Sequence, residues 1–183
     1  GEGDEKKIVP HMEQLEAHFK DSISESSEGM VKFVHRLSKI IDKRGHSVED
    51  LLRFLKSADL PIANDGSIIA YKKLRARGDT FVDIYTGLVT QNVGSVVFMS
   101  PDMVDPNRRT SCCNGLHIAS RSYLSGFSGT DIFICKINPE DVIQVFKPNI
   151  IPILSPFLRV VHCSFTAISI KFQRTNKMLK KEE

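Results

Sequence analysis

Apolar positions along this chain change their period once. In the first 60 residues they recur at helical spacing, and beyond Pro61 they gather into short alternating or β-branched runs. Pro10 suits a first helical turn, and Met12, Leu15 and Phe19 follow at i, i+3 and i+7, which predicts a short amphipathic helix over Val9–Lys20. The polar stretch Ser22–Gly29 interrupts it. Met30, Val34, Leu37 and Ile41, widened by Phe33 and Ile40, predict a second helix that stops near Arg44-Gly45, where glycine can take a left-handed cap. Ser47 with Asp50 three residues later has the form of a capping box for a third helix, whose buried face is Val48, Leu51, Leu52 and Leu55.

Asn64-Asp65-Gly66 is a turn signal, because these residues tolerate the positive φ of tight turns. Strands are expected over Ser67–Lys73, Thr80–Tyr85, Ser95–Met99, Leu116–Ala119, Asp131–Ile137 and Asp141–Phe146, with one or two more in Leu158–Phe172. The expected class is α+β: N-terminal helices packed on a mainly antiparallel sheet. The expected division is a helical part over 1–60, an α+β domain over 61–172 and a charged tail over 173–183.

Composition narrows the picture modestly. With 183 residues, 41% hydrophobic and 26% charged, the chain is an ordinary globular polypeptide, and four cysteines are too few for a disulfide scaffold. Pro152 and Pro156 interrupt the most apolar stretch, so no run reaches the length of a membrane span. GEGDEKK lacks the order of a signal peptide, and a reducing cytoplasm is the expected compartment. The formal charge is +3, yet residues 1–30 carry eight acids against three lysines, a net of −5, which leaves +8 on the remainder. An acidic front thus precedes a basic body, short of the strongly basic footprint of a dedicated nucleic-acid domain.

The densest chemical cluster is Thr110-Ser111-Cys112-Cys113-Asn114-Gly115-Leu116-His117, with His162-Cys163 late in the chain. Cys112, His117, His162 and Cys163 are the residues that would ligate zinc, but the internal Cys-x4-His spacing fits the usual knuckles poorly. The bland reading has Gly115 opening a strand, Cys112 packed as a small apolar residue and His117 satisfying a hydrogen bond. Lipase, metalloprotease, Walker and dinucleotide signatures are absent. The run Lys72-Lys73-Leu74-Arg75-Ala76-Arg77 after Tyr71 could meet phosphates, yet three tyrosines and no tryptophan make a thin stacking platform, and a solvated loop is the expectation.

Order and spacing of several landmarks resemble the C-terminal domain of the phage rapid-lysis B (rIIB-like) family. The resemblance rests on Phe54-Leu55, Leu60-Pro61-Ile62, Asn64-Asp65-Gly66, Ala70-Tyr71-Lys72, Tyr85-Thr86-Gly87, Asn92-Val93-Gly94 and Val97-Phe98-Met99. It continues through Cys112, Gly115-Leu116-His117, Ser120, Tyr123-Leu124 and Phe127 to Lys136-Ile137-Asn138-Pro139-Glu140-Asp141-Val142, across roughly residues 30–146. Cys113 departs from the family pattern, as does the apolar segment after Phe146.

The resemblance implies a viral accessory protein in counter-defence against prophage exclusion or in lysis timing, acting through interaction surfaces and without a cofactor. It implies a protein partner, either the A protein of the rapid-lysis pair or a host defence factor, in the host cytoplasm or at the periphery of the inner membrane. Candidate binding residues are Tyr71, Lys72, Arg75, Cys112, Gly115, His117 and Tyr123. The rival reading is an NAD- or RNA-directed enzyme with an ADP-ribosyltransferase-like fold, in which Lys72 meets a pyrophosphate and Tyr123 stacks on a ring. Glu140 is its one candidate acid, although Asn138-Pro139-Glu140-Asp141 reads as a turn or helix cap. Nucleic-acid binding by the basic body is a third reading, less favoured.

Overall fold

The computed structural model describes residues 27–58, 60–104, 114–145, 164–167 and 169–173. The helix expected over Val9–Lys20 lies outside them, as do Cys112, Cys113, His162 and Cys163. Two helices, α1 (Ser27–Ser38) and α2 (Ile41–Ala58), precede eight strands. These are β1 (Ile68–Arg77), β2 (Thr80–Asp83), β3 (Val96–Phe98), β4 (Leu116–Ala119), β5 (Asp131–Ile137), β6 (Val142–Val145), β7 (Ser164–Ala167) and β8 (Ser169–Gln173). All their pairings are antiparallel, in the order β3-β8-β5-β1-β4-β7-β6, with β2 also on β1. The architecture is α+β, as the change of period predicts.

The helix boundaries correct the sequence reading. The chain breaks at Lys39-Ile40, where the Lys39 and Ile40 amides donate to the Arg36 and Leu37 carbonyls at 3.3 and 3.1 Å, and α2 then runs through Gly45 and Ser47. Asp42 stands in the first turn of α2, where the helix dipole favours an acid. A mid-helix glycine costs only about 1 kcal/mol relative to alanine, which the packing of both helices outweighs. Leu37 before the break and Val48, Leu51, Leu52 and Leu55 after it are at most 1% exposed and share one core with the sheet. That shared core makes the helices a lid on the sheet.

On β1, Ile68, Ala70 and Leu74 face that core, with Lys72 in the same row. Ile68 opposes Ile137, Ala70 opposes Cys135 and Lys72 opposes Phe133, and all but Lys72 in this row are buried apolar groups. The Phe133 ring meets Phe81 of β2 edge-on at 4.7 Å. The turn at Asn64–Gly66 forms as expected: the Gly66 amide donates to the Ala63 carbonyl at 2.8 Å, with Gly66 at φ 78°. A Cβ on Gly66 would lie 2.8 Å from the Lys32 Cβ and the Phe33 nitrogen, so glycine lets α1 press directly on the turn.

The sheet must curl. Val82 pairs with Arg75 on one side and Thr90 on the other, which puts Thr90 five lateral steps from β3, about 24 Å in a flat sheet. Thr90, however, is only six residues from Val96, at most about 22 Å of chain. Val97 and Met99, at the far end of the sheet, pack against the core.

Candidate functional site

The basic run is strand, not loop. β1 continues to Arg77 because Leu74, Arg75, Ala76 and Arg77 pair with Asp83, Val82, Phe81 and Thr80. Its side chains divide between two faces, and each cation donates to a backbone carbonyl of a neighbouring segment. Lys72 Nζ reaches the His117 oxygen on β4 at 2.8 Å. Lys73 Nζ reaches Leu124 and Phe127 at 3.4 and 2.5 Å, Arg75 reaches Ile84 at 3.4 Å, and Arg77 reaches Gly87 at 2.9 Å. Each clamp ties down a carbonyl beyond the pairing of its own segment. The row therefore holds the 117, 124–127 and 84–87 segments to one strand.

Lys72 occupies a fork. Along one edge of β1, β4 pairs at Tyr71 and β2 from Leu74 onward, so the edge changes partner across Lys72 and Lys73. Burial lowers the Lys72 pKa, while the Cys135 thiol and the Asp83 carboxylate act in the opposite direction. Burial likewise pushes the Cys135 thiol up to about 12, against the pull of Lys72. A cation in the core-facing row persists because the His117 carbonyl accepts a hydrogen bond from it.

Asp83 is the residue that the sequence reading missed. Its carboxylate accepts from the Thr86, Gly87, Leu88 and Val89 amides at 2.5, 3.3, 3.2 and 2.9 Å, and from the Thr86 hydroxyl at 2.8 Å. Burial raises its pKa, but these donors outweigh burial and the net shift is downward. The signal was present in Asp83-x-x-Thr86-Gly87: an acid whose side chain can cap its own turn, followed by a glycine at φ 68°. The loop so built carries Tyr85 and Leu88 outward, 87% and 77% exposed.

The remaining candidates are partly brought together. Tyr71 on β1 opposes Ala119 on β4, so Tyr71 and His117, two residues from Ala119, share the sheet face opposite Lys72. Gly115, at φ 158° and nearly extended, leads into β4. Tyr123 sits on a short 3-10 turn and packs edge-on against Phe127 at 5.2 Å, beneath the Lys73 clamp. Arg75 lies out along β1 over the Asp83 loop. Of the zinc candidates only His117 is among the described residues, and no group of three metal-ligating side chains occurs among these residues. Asn138 accepts from the Glu140 amide at 3.1 Å, and Glu140 pairs with Lys39 at 3.1 Å, so the Asn-Pro-Glu-Asp segment is the cap its sequence suggests. No helix among the described residues is long and apolar enough to cross a membrane.

Comparison with known proteins agrees with the landmark residues. A family profile described as Bacteriophage T4 protein rIIB matches residues 19–149, more than half of the chain. Protein rIIB of Enterobacteria phage T4 is 30% identical over 101 residues, which cover 54% of this chain and 31% of that protein. The matched region thus spans about a third of the relative's length. No solved structure matches. With the Asn64–Gly66 turn, the Asp83 loop and the His117 strand all inside the matched region, the chain belongs to the rIIB family of phage proteins.

Proposed function

We propose that this protein is an rIIB-type viral accessory module that acts by binding other proteins, in counter-defence against prophage exclusion or in lysis timing. The observation that carries the reading is the use made of its charged groups. The cations from Lys72 to Arg77 clamp backbone carbonyls, and Asp83 closes its own loop. Groups that a phosphate-binding or catalytic reading would recruit here serve to fix loop geometry, and what they hold outward is Tyr85 and Leu88. Rigid loops that present exposed side chains suit recognition. The expected partner is a protein, either the A-type partner of the rapid-lysis pair or a host defence factor, met in the host cytoplasm or at the inner membrane.

Complementation tests the reading. A phage that lacks its own family member is plated on a host whose resident prophage excludes it, with this chain supplied in trans. Restored plating, retained by Lys72→Met but lost with Tyr85→Ala/Leu88→Ala, supports it. Failure to restore plating while folded protein accumulates overturns the counter-defence role, and NAD turnover abolished by Lys72→Met overturns the non-enzymatic one.

A further inference from the structure

The loop that follows β2 sorts its charges. Inside it the Asp83 carboxylate accepts from the Thr86, Gly87, Leu88 and Val89 amides, so the acid of this loop is spent on its own backbone. Two cations hold the outside. Arg75 donates to the Ile84 carbonyl at 3.4 Å and Arg77 to the Gly87 carbonyl at 2.9 Å, and these are the peptides that lead into Tyr85 and into Leu88. Each of these two side chains, 87% and 77% exposed, therefore has a guanidinium one peptide away.

Both arginines are exposed, and among the described residues neither forms an ion pair, whether with Asp79 of the β1–β2 turn or with another acid. From Ile84 to Pro101 the chain adds no acid of its own. Each guanidinium thus keeps part of its N–H fork for an outside acceptor, and a carboxylate fits such a fork with paired hydrogen bonds.

We infer that this crest recognises an acidic segment of a partner protein, whose carboxylates meet Arg75 and Arg77 while apolar side chains beside them cover Tyr85 and Leu88. The inference rests on the protein-binding reading above and names the chemistry of the partner. Charge complementarity selects the occupant, because two unpaired cations beside two uncovered apolar groups lack only the acids. Tyrosine and arginine are also the residue types that carry much of the binding energy at protein interfaces. A nucleic acid would offer phosphates to the same forks, but its bases need several aromatic platforms, and Tyr85 is the one aromatic residue of this loop. Two cations attract an anionic membrane only weakly.

Fluorescence anisotropy of a labelled poly(Glu,Tyr) copolymer, titrated with the full chain, tests this directly. The expected result is saturable binding that weakens with added salt and that poly(Lys,Tyr) does not reproduce. Arg75→Gln/Arg77→Gln keeps an amide donor at each position without the charge, and it should raise the dissociation constant roughly tenfold or more, as should Tyr85→Ala/Leu88→Ala. Arg75→Lys/Arg77→Lys, which restores the charge, recovers most of the affinity. Arg53→Gln removes a cation on α2 and leaves binding unchanged. No saturable binding, or binding that the glutamine pair leaves at full affinity, overturns the inference. So does tighter binding of single-stranded RNA or phosphatidylglycerol vesicles through the same arginines. If the copolymer fails while complementation still requires Tyr85 and Leu88, the acidic partner falls and the protein-binding reading stands.

Discussion

The ammonium of Lys72 donates to the carbonyl oxygen of His117 at 2.8 Å, from a strand row otherwise filled by buried apolar side chains. The pair joins β1 to β4 where their ladder ends. Burial lowers the lysine pKa, so the unfolded chain holds this proton more tightly than the folded one. The Lys72 contribution to stability therefore rises with pH between its lowered value and the ordinary 10.5, and below that window its unfavourable part is fully present. Lys72→Met keeps the volume and removes the charge. Urea denaturation should place the variant within about 1.5 kcal/mol of wild type at pH 7, and the wild-type-minus-variant difference should climb towards pH 10.

Asp83 predicts a sharper loss. With five hydrogen bonds converging on one carboxylate, Asp83→Ala should cost about 2 kcal/mol and expose the loop to protease between Tyr85 and Val89. Asp83→Asn should recover little, since its amide presents a donor to donors. Because the folded pKa is lowered, the contribution is present above 3.8 and fades as the medium is acidified.

Asp65 and Lys136 link the Asn64–Gly66 turn to β5 at 3.0 Å. Burial raises the Asp65 pKa, but hydrogen bonds from Lys136 and the Ser67 amide bring it down to about 2. Its stabilisation is complete above 3.8 and disappears as pH falls through about 2. The carboxylate is half exposed, so screening keeps the effect below about 1 kcal/mol. Acid titration of the urea midpoint should show Asp65→Asn losing sensitivity in that interval alone.

Gly66→Ala should be among the costliest single changes, on the order of 3 kcal/mol, because a left-handed backbone and a 2.8 Å clash with α1 add together. Gly78→Ala, at φ 57° with nothing within 4 Å, should cost about 1 kcal/mol. The difference between the two melts measures the helix contact alone.

Much of the fold was legible where local chemistry and tertiary packing agree. β4 and β5 fall on the bounds their sequences predict, Leu116–Ala119 and Asp131–Ile137, because Asn114-Gly115 opens the first and Gly129 and Asn138-Pro139 bracket the second. The second helix was misjudged because Gly45 is a strong local stop whose weak cost α2 absorbs through Val48, Leu51 and Leu55. The basic run looked like a loop because its extension as strand depends on β2, and its purpose depends on carbonyls 9 to 54 residues away in sequence. Tyr71, Lys72, His117 and Tyr123 were legible as landmarks. That Lys72 shares the row of Ile68, Ala70 and Leu74 while Tyr71 and His117 share the other face follows only from register.

Every hydrogen bond that the Asp83 carboxylate accepts arises within seven consecutive residues, and Arg75 and Arg77 only brace the outside of the loop. Such a crest is portable: it keeps its outline while neighbouring surface drifts, and Tyr85 and Leu88 can be exchanged without refolding it. Single-codon steps can then vary what is shown at this tip and leave the frame beneath untouched.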